Sequence, residues 1–126
     1  MPSAIANATR PDTGTVLTKA TLRASALLGL TGASLGKIIG TSEASISRLS
    51  KGERTLQPDT KEGELAVLLL RVFRSLDALV GNDEKRRLEW LGSYNQGVSG
   101  TPKELIQTAQ GLVRVVTYLD GMRAVV

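Results

Sequence analysis

A chain of 126 residues, 41% hydrophobic and 22% charged, fits one domain or two small ones. It has no cysteine and no histidine, which excludes disulfide scaffolds, thiolate or imidazole metal sites, cysteine nucleophiles and imidazole bases. Net charge is +4, with seven Lys/Arg against four Asp/Glu in residues 1–60 and nine against eight in residues 61–126. An excess in the first half is compatible with nucleic acid.

The aromatic residues are Phe73, Trp90, Tyr94 and Tyr118, so a core must come from Leu, Val, Ile and Ala, a mixture that suits packed helices. The apolar run 65–70 closes at Arg71, too short to span a membrane. Residues 1–14 show no apolar stretch behind a basic start, so no secretory leader is expected and the cytoplasm is the simplest location. Residues 1–15, rich in Ala, Thr, Ser and Pro without a period, read as a flexible N-terminal segment.

Leu17, Ala20, Ala24, Leu27 and Leu28 recur at spacings of three and four and predict a first helix from Val16. Leu35, Ile38 and Ile39 mark a second, stopped at Gly40. Ser42 caps a third, with Ile46 and Leu49 inward and Gly52 at its end. A long amphipathic helix follows over about 60–80, with the stripe Leu65, Leu69, Val72, Leu76 and Leu79. Gly81-Asn82-Asp83 breaks it, and a helix carrying Leu88, Trp90 and Leu91 comes next. After a glycine-rich loop, Thr101-Pro102-Lys103-Glu104 is a strong helix start. It predicts a final helix with Leu112, Val115, Val116 and Leu119, followed by a short apolar tail, 122–126. The fold class is all-α. The expected domains are a helix-turn-helix unit over 16–58, and a long linking helix with a small C-terminal helical domain over 59–126.

Residues 34–52 have the layout of a helix-turn-helix. Gly36 gives the small residue where two helices approach, Gly40 the turn, Ser42 the cap, and Ile46 and Leu49 the docking contacts. The second helix of such a unit reads base edges. It would present Glu43, Ala44, Ser45, Ser47 and Arg48 outward. Arg48 suits guanine, and Ser42, Ser45 and Ser47 suit bases or phosphates, while Lys37, Lys51 and Arg54 suit phosphates. Glu43 counts against it unless it accepts from a cytosine amine. The same spacing also fits a plain helical hairpin with a solvated polar face.

The order of features over 34–52 resembles the Xre-type helix-turn-helix. Trp90-Leu91, Gly100-Thr101-Pro102, Glu104-Leu105-Ile106 and Gly111-Leu112-Val113 with Val116 and Leu119 resemble the core of the Xre/MbcA/ParS toxin-binding domain. The pair, in this order over roughly 20–126, resembles antitoxins of Xre–RES toxin–antitoxin systems. That resemblance implies a partner toxin of the RES type, which consumes NAD and whose active-site cleft the C-terminal region blocks. It also implies operator DNA as a second partner, through autorepression, and a homodimer. Carried over by position, the toxin-facing candidates are Gly100, Thr101, Pro102, Tyr118, Leu119, Met122, Arg123, Val125 and Val126. The short apolar tail ending in an anion raises a further hypothesis, left open by the sequence: that the Val126 carboxylate enters the toxin's phosphate-binding pocket in place of part of NAD. The broad apolar stripe of the long helix is the expected dimer seam. No paired carboxylates, nucleophile–base pair or phosphate loop is visible, so neither catalysis nor a cofactor is expected. The alternative is a stand-alone helix-turn-helix regulator without a toxin partner.

Overall fold

The computed structural model describes residues 12–125, with side chains through Ala124. Seven helices and no strand make up these residues: α1 Thr13–Leu27, α2 Gly32–Ile39, α3 Glu43–Ser50, α4 Lys61–Val80, α5 Glu84–Gly92, α6 Pro102–Leu105 and α7 Ala109–Val125. The first helix begins earlier than its apolar period suggests, because Asp12 accepts a hydrogen bond from the Thr15 amide at 2.7 Å and caps it. Thus 12–15 belong to the folded body, and residues 1–11 of the expected flexible segment lie outside the described residues.

Side-chain caps start the next three helices as well. Thr31 accepts from Ser34, Ser42 from Ser45 and Thr60 from Gly63, each through its hydroxyl and each at 3.0 to 3.1 Å. Helices α2 and α4 end on Gly40 (φ 77°) and Gly81 (φ 66°), a left-handed conformation that glycine adopts without the Cβ penalty.

Helix α4 is the spine. It packs along α7 on one side and α1 on the other, with α2 and α5 at its flanks. Ala66, Leu69, Val72 and Leu76 are fully buried, whereas Leu65, Leu68 and Leu79 are only partly covered. The buried seam is therefore rotated from the expected stripe toward Ala66, because α4 is covered by α7, α1, α2 and α5 and not by one partner. That also corrects the expected dimer seam: most of the stripe is consumed within the chain. Leu65 and Leu68 lie beside Ala109 while Ser75 meets Asp120, so α4 and α7 run parallel. The crossover between them is made by α5, a tight loop and α6. Truncating Leu69 to alanine at the centre of this seam is expected to cost about 2–5 kcal/mol in a denaturant titration.

The C-terminal segment departs from expectation at both ends. Thr101 sits at the N-cap of α6 but makes no side-chain cap bond, and α6 stops at Leu105. A turn intervenes, and Thr108 opens α7 by accepting from the Gly111 amide at 3.0 Å. The helix then continues to Val125, so 122–125 are helical and not a tail beyond the last helix.

Candidate nucleic-acid interface and partner surface

Helices α2 and α3 form the helix-turn-helix. A Cβ on Gly36 would lie 2.7 Å from the Thr41 carbonyl oxygen, so only glycine allows this approach. Ile46 and Leu49, 5% and 3% exposed, dock α3 on the core. Lys37, Ser42, Glu43, Ala44, Ser47, Arg48 and Lys51 are exposed, which leaves three cations and one acid on this surface. Ser45 is corrected: it is buried beside Ile46, and its hydroxyl accepts from Arg48 Nη2 at 3.0 Å. The expectation that it faces outward fails because Ser45 lies on the docking side of α3, where it holds Arg48 along the helix.

Arg54 does not stand free. It pairs with Glu62 in the first turn of α4, fastening the loop after α3 to the spine. Burial alone would raise the Glu62 carboxyl. Hydrogen bonds from Arg54 and Thr41, with the Arg54 charge, outweigh that and hold it below the ordinary range. A carboxyl depressed in the folded state adds stability that is full above its unfolded pKa and lost as pH falls through the folded one. Glu62→Gln is therefore expected to flatten part of the loss of stability in acid, seen by comparing denaturant midpoints at neutral and acidic pH.

In the C-terminal half, the loop 93–101 is closed by Asn95 and Gly100, whose backbones exchange hydrogen bonds of 2.9 and 3.2 Å. Gly100 lies against the Leu105 side chain, and Gly97 against the Tyr118 ring. Tyr118 stacks on Trp90 with centroids 6.5 Å apart and planes at 21°. Of the toxin-facing candidates, Gly100, Thr101, Tyr118 and Met122 are half-buried and Arg123 is exposed. Leu119 and Pro102 are corrected: both are buried, Leu119 fully, because the inward period of α7 and the first turn of α6 face the core. The Val125 side chain and all of Val126, with the role raised for its carboxylate, lie outside the described residues.

Arg123 donates to Ser75 Oγ at 3.3 Å, and Asp120 accepts from Ser75 at 2.9 Å and pairs with Arg71. The Ser75 hydroxyl, then Arg71 and the Arg123 charge, hold the Asp120 carboxyl below its ordinary range against a smaller opposing effect of burial. This polar seam joins α4 to the last turns of α7.

Sequence reasoning missed Arg87. It is 2% exposed, donates to the Leu27 carbonyl at 3.3 Å and to Asp77 at 3.0 Å, and lies over the Phe73 ring at 5.4 Å. A signal existed: Leu91 is buried, and one turn back on the same face is Arg87. Among the described residues no group of three or more acidic residues could hold a metal ion, and no helix is long and apolar enough to cross a membrane.

Residues 8–71 match the antitoxin Xre-like helix-turn-helix domain. Residues 75–124 match the antitoxin Xre/MbcA/ParS C-terminal toxin-binding domain. No curated protein matches the chain. The two matches meet inside α4, the helix that packs against both halves. With the first match spanning half of the chain and the second most of the remainder, the protein belongs to the Xre-type antitoxins.

Proposed function

We propose that this antitoxin neutralises a RES-domain toxin that degrades NAD, by occluding the toxin's active-site cleft with its C-terminal region, and that it represses its own operon through α2 and α3. The observation that carries the reading is the union of the two domains, in this order, on one spine helix. On the DNA side, Lys37, Arg48 and Lys51 would meet phosphates and bases, with Ser42, Glu43 and Ser47 beside them. Arg54 would act through its grip on α4. On the toxin side, Gly100, Thr101, Tyr118, Met122 and Arg123 would offer the surface. The protein works in the cytoplasm without a cofactor and as a homodimer. The face of α4 around Val67, with Val16, Pro58 and Leu70 beside it, is the apolar surface left for self-association.

The test takes the product of the neighbouring reading frame and follows its NAD consumption while this protein is added. Stoichiometric inhibition is expected. If that product consumes no NAD, or this protein does not slow it, the toxin half of the reading fails and a stand-alone regulator remains. Arg48→Ala is expected to weaken operator binding roughly tenfold to a hundredfold while inhibition of the toxin is unchanged. Equal loss of both activities would refute the division of labour between the two halves.

A further inference from the structure

We propose that the groove between the end of α4 and α5, walled by Trp90, is where the toxin seats an apolar side chain of its own. The inference rests on the reading of the chain as an antitoxin and names the surface that reading leaves open. The groove holds about 330 Å³ and is lined by Leu79, Val80, Arg86, Glu89, Trp90 and Ser93. Its floor is apolar, and its rim carries one charge of each sign. Neither Arg86 nor Glu89 forms an ion pair among the described residues. An apolar centre inside a polar rim is the anatomy of a protein–protein contact. A balanced rim offers no field for a nucleic acid.

The wall is rigid. Trp90 leans on Tyr118, and Tyr118 is held in turn by the loop: a Cβ on Gly97 would lie 2.2 Å from its Cε1. The loop is itself fixed by the Asn95–Gly100 pairing and by Arg114, which donates to the Val98 carbonyl at 3.4 Å. A partner docking here orders little that is not already ordered, which favours affinity. Tyr94, adjoining the groove's Ser93 in the chain, is 69% exposed. Trp, Tyr and Arg are the side chains that dominate interface energies, and this edge carries all three.

The occupant follows from the domain. All six lining residues and Tyr94 fall within 75–124, the stretch that matches a toxin-binding domain. Helix α7 cannot anchor a partner by its inward stripe, because Leu112, Val115, Val116 and Leu119 are buried against α4 and its neighbours. Val113 on α7 and Leu88 on α5, 49% and 41% exposed, are single side chains, whereas Leu79, Val80 and Trp90 gather in one concavity. The apolar anchor of the toxin contact is therefore placed at the α4–α5 groove, with the exposed side of α7 extending the surface.

Trp90 is the chain's sole tryptophan, so one fluorotryptophan label gives one resonance. The full chain so labelled is titrated with the purified toxin and, separately, with operator DNA. The resonance is expected to move with toxin and not with DNA. In parallel, toxin affinity is measured for Ser93→Arg, which fills the groove from its exposed rim, for Tyr94→Ala, and for Ala26→Arg as an exposed control on α1. Ser93→Arg is expected to weaken binding by about thirtyfold or more and Tyr94→Ala by about tenfold, with Ala26→Arg unchanged. Trp90→Ala is not needed, so a folding defect at that half-buried position does not decide the matter. If the wild-type chain binds no toxin, the antitoxin reading itself fails. If it binds, but both groove variants bind equally well and the resonance stays put, the groove proposal is overturned. It is also overturned if Ser93→Arg changes only the mass of the free protein in solution, which would make the groove a self-association site.

Discussion

Arg87→Ala is expected to lower the stability of the folded chain by about 3 kcal/mol, with a fall of roughly 10 °C in the thermal midpoint. The argument begins with burial: the side chain is 3% exposed, and a buried guanidinium, which carries a fixed charge, is costly unless most of its donors are satisfied. Two are, by Asp77 and by the carbonyl of Leu27 at the last turn of α1, while the Phe73 ring covers its face. Its Nε has no partner among the described residues, so the site already tolerates one desolvated donor. Removing the whole side chain leaves a cavity and an unanswered carbonyl. Asp77, 29% exposed, can recover water, which keeps the loss at the low end for a broken buried pair. Arg87→Met, which keeps the stem packing, is expected to lose less than the alanine variant. Denaturant titrations of the three proteins decide it. A loss below about 1 kcal/mol for Arg87→Ala would mean that the pair behaves as an exposed one. Because Arg87 belongs to α5 and Leu27 to α1, the same titration is expected to show one transition for both halves.

The helix-turn-helix was legible because its determinants are local. Gly36, Gly40, Ser42, Ile46 and Leu49 act within one or two turns of each other, and each takes the place its chemistry asks for. The orientation of single polar residues was less so. Ser45 follows the cap by three positions and precedes Ile46 by one, and the angle at which α3 docks turns it inward. The same limit applies to Leu119: an apolar residue near a functional end can face the core or a partner, and periodicity does not choose between them. Arg87 was hidden for a different reason. Its contacts, Leu27, Asp77 and Phe73, lie 10 to 60 positions away in the chain; the face shared with Leu91 signals burial, but no local pattern names such partners. In the C-terminal half the structure shows a second helix start close to Thr101-Pro102, at Thr108, which was not singled out from the sequence. Thr101-Pro102 begins only a single turn. Thr108 starts α7, because tertiary packing against α4 decides which signal is extended.

That second signal repeats one at the start of α4, and it carries the other large expected effect. Thr60 accepts from the Gly63 amide at 3.0 Å and donates to the Gln57 carbonyl at 2.7 Å. Thr108 does the same toward Gly111 at 3.0 Å and, less tightly, toward Leu105 at 3.5 Å. In both, the glycine lies three residues after the threonine, and the carbonyl three before it folds over the glycine. A Cβ on Gly63 would come 1.9 Å from Gln57 O, and one on Gly111 1.9 Å from Leu105 O. Neither clash can be relieved by a side-chain rotation, since the opposing atom is backbone. In an open helix, Gly→Ala stabilises by up to about 1 kcal/mol. Here the steric term wins, and Gly63→Ala and Gly111→Ala are each expected to destabilise by about 3 kcal/mol. Gly121→Ala, in the same helix as Gly111 but with nothing within 4 Å of its Cβ position, is expected to stabilise instead. The sign difference between two glycines of one helix isolates the clash from helix propensity. If Gly111→Ala and Gly121→Ala shift the denaturant midpoint in the same direction, the folded-over carbonyl is not what requires glycine at these two helix starts.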